Sequence, residues 1–199
     1  MSFYNTIAQE GFAEFKDKGS KFLAYTFPFE EVTQLKIIIQ KLKKEHPKAA
    51  HFCFAYRIGV TKNIFRSSDD GEPAGSAGKP ILGQLDSKEI TDTLIVVVRY
   101  FGGTLLGVPG LINAYKTASA LALQVVPTAA KPILVRYNLQ FDYTQLNDIL
   151  IIVNQFNCVI LKKEVQLFCN YIIGVPTERV DNVIHLLSGL PNVEVEHLL

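Results

Sequence analysis

Thr93-Leu94-Ile95-Val96-Val97-Val98-Arg99-Tyr100-Phe101-Gly102-Gly103-Thr104-Leu105-Leu106-Gly107-Val108-Pro109-Gly110-Leu111 opens the stretch, Thr93 to Ala122, around which the chain is organised. Leu94 to Val98 is a continuous apolar run and predicts a strand buried on both faces. Polarity appears abruptly at Arg99, where that strand should end. Gly102 to Gly110 holds four glycines and reads as a loop. A helix is expected from Leu111, with Leu111, Ala114, Ala118, Leu121 and Val125 sharing a face. Strand, glycine loop and helix place backbone amides beside a helix start, which suits an anion.

Upstream, Lys21 to Phe29 reads as a strand. Glu30 to His46 reads as a helix with Val32, Leu35, Ile39 and Leu42 inward, stopped by Pro47. Lys36, Lys41, Lys43, Lys44 and Lys48 crowd its C-terminal part, as a solvated face that also suits the helix dipole. Ala50 to Val60 is a second strand opened by His51, and Asn63 to Arg66 a further short one. Ser67 to Pro80 then packs three carboxylates, three glycines and two prolines into 14 residues. A loop of that length in a compact domain points to function. A helix over Ile81 to Leu85 follows, with Pro80 at its start and Lys79 at its positive end. Lys79-Pro80 is not a Walker A ending, and no EF-hand spacing surrounds Asp69, Asp70 and Glu72.

Downstream, Pro127 to Lys131 reads as a linker between Pro127 and Pro132. Ile133 to Phe141 alternates as a strand with one buried face, its other face showing Arg136, Asn138 and Gln140. A helix capped by Thr144 runs from Gln145 to Phe156. Strands over Cys158 to Val165 and Gln166 to Gly174, a helix capped by Thr177 running to Leu187, and a strand Val193 to His197 complete the chain. The order βαββαβ predicts a ferredoxin-like domain. Its polar strand face lacks the aromatic pair by which an RRM stacks bases. Two domains are therefore expected, residues 1–127 and 132–199, in an α+β fold.

The 199 residues are 48% hydrophobic, and no apolar run reaches the roughly 18 residues of a membrane span. Met1 to Lys21 is polar and charged, so no signal peptide is expected. Cys53, Cys158 and Cys169 are odd in number, lie in apolar runs and form no C-x-x-C pair; reduced, buried thiols in a cytoplasmic protein are expected. Net charge is +1, with 15 Lys+Arg against 12 Asp+Glu in residues 1–129 and 5 against 7 in the remainder. That mild asymmetry permits a local basic patch without requiring one.

Ser68-Asp69-Asp70-Gly71-Glu72-Pro73-Ala74-Gly75-Ser76-Ala77-Gly78-Lys79-Pro80 and Val97 to Gly107 resemble the signatures of the YigZ/IMPACT family. Lys18-Gly19-Ser20-Lys21-Phe22 and Ala50-His51 fit as well, and the resemblance covers essentially the whole chain. It implies an N-terminal α/β domain like domain IV of elongation factor G, a fold shared with a small-subunit ribosomal protein. It also implies a C-terminal ferredoxin-like domain like domain V of that factor. Eukaryotic relatives regulate translation by interfering with the kinase that senses amino-acid starvation, through a further N-terminal domain not expected here. Three positions depart from the family pattern. Gly107-Val108-Pro109-Gly110-Leu111 replaces Gly-x-Gly-Gly-Leu, Asn113 stands where a basic residue is common, and Phe52 stands where a second histidine is frequent. The departures imply a weaker anion cradle and no paired-histidine chemistry.

The resulting expectation is a translation-associated, non-enzymatic binding protein. Its partner would be RNA, the ribosome or a translation-related protein, met through the glycine-rich loops. The candidate binding residues are His51, Asp69, Asp70, Glu72, Lys79, Arg99, Tyr100, Gly102, Gly103 and Gly107. An alternative role for Arg99 is to pair with Asp69, Asp70 or Glu72 and hold the two loops together. A second reading is a hydrolase using the Asp69/Asp70/Glu72 cluster with His51, and Ser68, Ser76 or Cys53 as nucleophile. None of those three sits in a G-x-S-x-G elbow or a cysteine-protease signature, so a binder is favoured and no catalytic residue is assigned. A third reading is a protein-interaction module acting through the C-terminal sheet. No cofactor, no metal, no membrane and no sequence-specific DNA contact are expected.

Overall fold

A computed structural model describes residues 2–165 and 168–198. The chain divides into two compact units. One spans Tyr4–Lys131; the other takes the chain from Pro132 onward together with the residues before Tyr4.

The first unit is built on β1 (Phe3–Ile7), β2 (Gly11–Asp17), β3 (Ser20–Pro28), α1 (Gln34–Glu45), β4 (His51–Ile58), β5 (Ile64–Ser68), α2 (Gly78–Ser87), β6 (Thr93–Tyr100), α3 (Gly107–Gln124) and β7 (Thr128–Pro132). Five strands form a sheet in the order β2-β3-β6-β4-β5. Its neighbouring strands all run antiparallel. The central strand is β6, as its unbroken apolar run demands, and Leu94, Ile95, Val96, Val97 and Val98 are each 0% exposed.

Both faces of the sheet are covered, because alternate residues of β6 join different cores. Ile95 and Val97 pack with Phe22, Cys53, Ile81 and Leu85 beneath α2 and α3. Leu94, Val96 and Val98 pack with Phe27, Phe29 and Tyr56 beneath Leu42 of α1. Each such side chain taken fully from water contributes about 1.5–3 kcal/mol. The run therefore anchors the unit from both sides. Its pairings are antiparallel, so a doubly buried strand here does not signal a parallel sheet.

Several boundaries differ from the sequence expectation. Pro127 to Lys131 is not a plain linker: β7 pairs with β1 in a two-stranded sheet. Small residues at Ala129 and Ala130 hid a strand whose stability comes from a partner more than 100 residues away in sequence. β1 and β2 carry little signal for a similar reason, since polar and charged residues interrupt their apolar ones. α3 begins at Gly107, not Leu111, so Pro109 lies inside its first turn. There the missing N–H would have had no intrahelical acceptor, and the fixed φ suits a helix. Val125 lies beyond α3 and is 58% exposed, whereas Val126 is buried. Val32 precedes α1 and is exposed.

The second unit contains β8 (Leu134–Phe141), α4 (Leu146–Gln155), β9 (Val159–Val165), β10 (Cys169–Pro176), α5 (Val180–Ser188) and β11 (Val193–Leu198). This is the βαββαβ order read from the sequence. The sheet runs β11-β8-β10-β9, all antiparallel. Leu139, Phe141, Tyr171 and Ile173 meet Ile149 and Val153 of α4 and Val183 and Leu187 of α5. Neither expected threonine caps its helix: short 3-10 turns, Tyr143–Gln145 and Thr177–Arg179, precede α4 and α5. Thr177 Oγ1 instead donates to the Ile133 carbonyl at 2.9 Å. The strand expected from Gln166 begins at Cys169, and Gln166 and Leu167 lie outside the described residues.

Candidate functional site

The site is assembled at the end of β6. Arg99 lies in register with Phe22 of β3 on one side and His51 of β4 on the other. Its side chain is on the α2/α3 face, with the guanidinium carbon 5.4 Å from the Phe22 ring centroid and 5.6 Å from that of Phe101. A guanidinium stacks favourably on aromatic faces. Arg99 is only 5% exposed, so its charge needs a buried partner.

Glu72 is that partner. Its Oε1 accepts from Arg99 Nη1 at 2.6 Å and from the Tyr115 hydroxyl at 2.7 Å. A tight turn delivers it: the Glu72 N–H donates to the Asp69 carbonyl at 2.9 Å, and the central residues Asp70 and Gly71 have φ of 42° and 88°. Glycine adopts that conformation without a Cβ penalty, and aspartate is among the few other residues that tolerate it. Tyr115 arrives from the buried face of α3. Burial above all, with Cys53 and Glu72 beside it, pushes the Tyr115 phenol up, so it stays a neutral donor.

The carboxylates that lie together in sequence do different work. Asp69 Oδ1 accepts from the Ala77 and Gly78 amides at 3.0 and 2.8 Å, and Oδ2 from the Gly75 amide at 2.8 Å. Asp69 thus closes the loop and satisfies the start of α2. Burial alone would raise its pKa. The bonds from Gly75, Gly78 and Ala77 outweigh that, with help from Lys79, and hold the carboxyl below its usual 3.8. Asp70 Oδ2 accepts from the Phe52 amide at 2.6 Å and ties the loop to β4. Among the described residues no group of three or more His, Cys, Asp and Glu is arranged to hold a metal ion.

His51 Nδ1 lies 2.7 Å from the Asp70 carbonyl. A carbonyl only accepts, so Nδ1 carries the proton. Nε2 is 3.9 Å from Glu72, too far for a hydrogen bond. The ring is therefore oriented by backbone and not by a carboxylate. Cys53 Sγ is 3.0 Å from the Asp69 carbonyl and 3.3 Å from the Tyr115 hydroxyl. Burial, foremost, raises its thiol well above the usual range, which keeps it protonated. Ser76 is fully buried and donates to the Pro73 carbonyl at 2.6 Å; Ser68 accepts from the Asp70 amide at 3.3 Å. The three nucleophile candidates of the hydrolase reading are each engaged in holding this loop.

Above the pair opens a cleft of about 500 Å³. Buried Glu72 and Arg99 lie at its floor with His51 beside them, and Phe101, Leu105 and Val108 form an apolar rim. Phe101 is 52% exposed and Leu105 83%. Gly107, with φ of 70°, turns the chain into α3 at the edge of the cleft. Gly102 lets the loop lie against β3: a Cβ there would come within 1.9 Å of the Gly19 carbonyl carbon. Its amide donates to Ser20 Oγ at 3.2 Å.

The structure thus gathers His51, Glu72, Arg99 and Gly107 at one cleft, with Gly102 shaping the adjoining loop. Gly103, at φ of 86°, turns that loop in open space. Asp69 and Asp70 support the site from the loop behind it. Two expected residues are elsewhere. Lys79 is exposed in the first turn of α2 and does not line the cleft. Tyr100 follows Arg99 in a strand and so faces the other side of the sheet, where its hydroxyl meets His46 Nδ1 at 3.0 Å. Tyr115 and Ser20 were not singled out from the sequence. The available signal is the helical spacing of Tyr115 with Leu111, Ala118 and Ala122, all buried on α3, together with the need of a buried tyrosine hydroxyl for a partner.

This is an α+β protein whose first unit presents a cleft with an apolar rim over a self-neutralised Glu–Arg pair. Residues 18–123, which contain every side chain of that cluster, match the family model described as the Impact N-terminal domain. The chain is 36% identical over 165 residues to "IMPACT family member YigZ" of Escherichia coli (strain K12), covering 82% of this chain and 81% of the relative. It is 36% identical over 146 residues to "IMPACT family member YvyE" of Bacillus subtilis (strain 168), covering 73% and 67%. A solved structure titled "Crystal structure of an hypothetical protein" matches with a TM-score of 0.78 and 31% identity, covering 100% of this chain and 98% of that one. The chain belongs to the IMPACT family.

Proposed function

We propose that this protein is a translation-associated regulator that binds a protein partner, with an apolar side chain of that partner entering the cleft between the two glycine-rich loops. One observation carries this reading: Leu105 and Phe101 stand exposed at the mouth of a cleft whose floor charges already satisfy each other. Exposed apolar side chains around a concavity mark interaction sites. The charge of Arg99 is already compensated by Glu72, although its Nε–H has no partner among the described residues, and this disfavours the cleft as a phosphate site. On this reading the first unit acts as the counterpart of elongation factor G domain IV and the second as that of domain V.

Co-sedimentation with ribosomes, subunits and their associated proteins over a salt series tests it, with Leu105→Asp beside the unaltered chain. Binding that resists salt and is lost in a folded Leu105→Asp supports the reading; binding that Leu105→Asp leaves intact overturns it.

A second reading, RNA binding, draws on a different face. Lys36, Lys41, Lys43, Lys44 and Lys48 are all exposed on α1 and the turn after it. Phosphate contacts release counterions, so this mode would weaken steeply with salt. Replacement of Lys41, Lys43 and Lys44 by Gln would reduce it while leaving Leu105-dependent binding unchanged.

A further inference from the structure

β9 is the terminal strand of the second unit's sheet, so among the described residues one of its edges has no strand beside it. All seven of its residues are exposed. Val159, Ile160, Leu161 and Val165 make it largely apolar, and Phe168 beyond it is 50% exposed. A strand edge of this kind is a template for pairing with another chain.

The charges on β9 select the partner. Lys162 Nζ lies 2.6 Å from Glu164 Oε1, both side chains being at least half exposed. In the β10 pairing, Lys162 stands opposite Ile172 and Glu164 opposite Asn170, which places both on the same face of the sheet. Suppose a second β9 is added antiparallel, related by a two-fold axis perpendicular to the sheet. Residues of one face then meet residues of the same face, so the axis must pass through a residue. With the axis at Lys163, Lys162 meets Glu164 of the other copy and Glu164 meets its Lys162. The β9–β10 register shifts between Ile172 and Ile173, which leaves Leu161 as the extra residue of a bulge, so the regular stretch that can pair begins at Lys162. Four charges then alternate in sign around the axis. Opposite-charge pairs directly across an antiparallel pair are favourable. Moving the axis to Lys162 would carry Glu164 away from Lys162 of the other copy, so only the axis at Lys163 satisfies the charges.

Lys163 faces its own copy at the axis. Its ammonium leans the other way, 5.6 Å from the ring centroid of Tyr171 on β10. The like charges are thereby drawn off the shared edge along their own sheets.

We propose that β9 is a self-association edge: two copies of this chain join through antiparallel β9 strands centred on Lys163, extending each four-stranded sheet into a continuous eight-stranded one. The surface is isologous, as a two-fold dimer requires.

Trans-complementation of charge reversals tests this. Lys162→Glu alone sets carboxylate against carboxylate in both crossings, and Glu164→Lys alone sets ammonium against ammonium. Each single variant should dimerise at least about tenfold more weakly than the unaltered chain in sedimentation equilibrium. An equimolar mixture of the two should recover the dimer, because both crossings become opposite in sign. Restoring a bond within one chain cannot produce that recovery. Circular dichroism confirms that both exposed variants remain folded. Slower amide exchange across Val159 to Val165 at rising protein concentration would locate the contact. An unaltered chain that stays monomeric at its highest soluble concentration overturns the proposal. So does a dimer indifferent to either reversal, or a mixture that stays monomeric.

Discussion

Arg99 Nη1 and Glu72 Oε1 lie 2.6 Å apart, with neither side chain more than 6% exposed. The pair joins β6 to the Ser67–Pro80 loop, and Tyr115 adds α3 to the same oxygen. Removing one partner leaves a buried charge without compensation, which costs about 3–5 kcal/mol. Arg99→Ala and Glu72→Ala should each lower stability by that amount in urea unfolding. The double variant should cost clearly less than the two single losses added together. Strict additivity, within about 0.5 kcal/mol, would show that the pair is not coupled. Tyr115→Phe removes only one donor and should cost about 1–2 kcal/mol.

Three glycines separate three physical roles. Gly102→Ala would place a Cβ 2.2 Å from the Ser20 amide nitrogen, so backbone must move; it should be strongly destabilising, by about 2–4 kcal/mol. Gly103 has open space but φ of 86°, so Gly103→Ala should cost only the left-handed backbone penalty, about 1–2 kcal/mol. Gly83 lies within α2 with nothing near its missing Cβ; Gly83→Ala should raise stability by about 0.5–1 kcal/mol. Thermal and urea unfolding of the three variants gives the ranking, and Gly102→Ala tolerated as well as Gly103→Ala would contradict the close loop packing.

Much of the architecture was legible because its signals are local. The apolar run Leu94–Val98 announced the central strand, and period-2 alternation from Ile133 with the following helix stripes gave βαββαβ. What escaped depends on distant partners. β1 and β7 stabilise each other across the whole first unit, and neither has a strong pattern of its own. At the site, the sequence offered three carboxylates for Arg99 and no way to choose among them. The turn at Asp70-Gly71 makes the choice, since it spends Asp69 and Asp70 on backbone amides and aims Glu72 inward. One misplacement was avoidable. Arg99 and Tyr100 are neighbours in a strand, so they cannot share a face, and only one of them could belong to the site.

Asp69 gives the loop a pH dependence of defined sign. Its folded pKa lies below the usual 3.8, because three amide donors and Lys79 favour the carboxylate over the opposing effect of burial. The unfolded chain therefore takes up the proton first as pH falls. The stabilisation is complete above the unfolded value and is lost progressively below about pH 4, down through the folded value. Asp69→Asn should be less stable than the unaltered chain at neutral pH, and the gap should narrow as pH drops below that point. Urea unfolding between pH 7 and pH 3 measures it. A gap independent of pH would mean that the loop is held by geometry alone, without the charge.

The cleft separates partner binding from folding. Leu105 is 83% exposed, so replacing it removes almost no buried surface. Leu105→Asp should change stability by no more than about 0.5 kcal/mol, the ordinary range for a surface position. Phe101 is different, since its ring also lies against the Arg99 guanidinium. Phe101→Ala should cost about 0.5–2 kcal/mol from that contact and still leave a folded protein. If an apolar group of a partner fills the cleft, both variants lose partner binding in co-sedimentation. Leu105→Asp then does so with its melting curve unchanged. If instead Leu105→Asp binds as well as the unaltered chain while lysine replacements on α1 do not, the partner meets the opposite face of the sheet. The Glu72–Arg99 pair would then serve only to hold β6, the Ser67–Pro80 loop and α3 together.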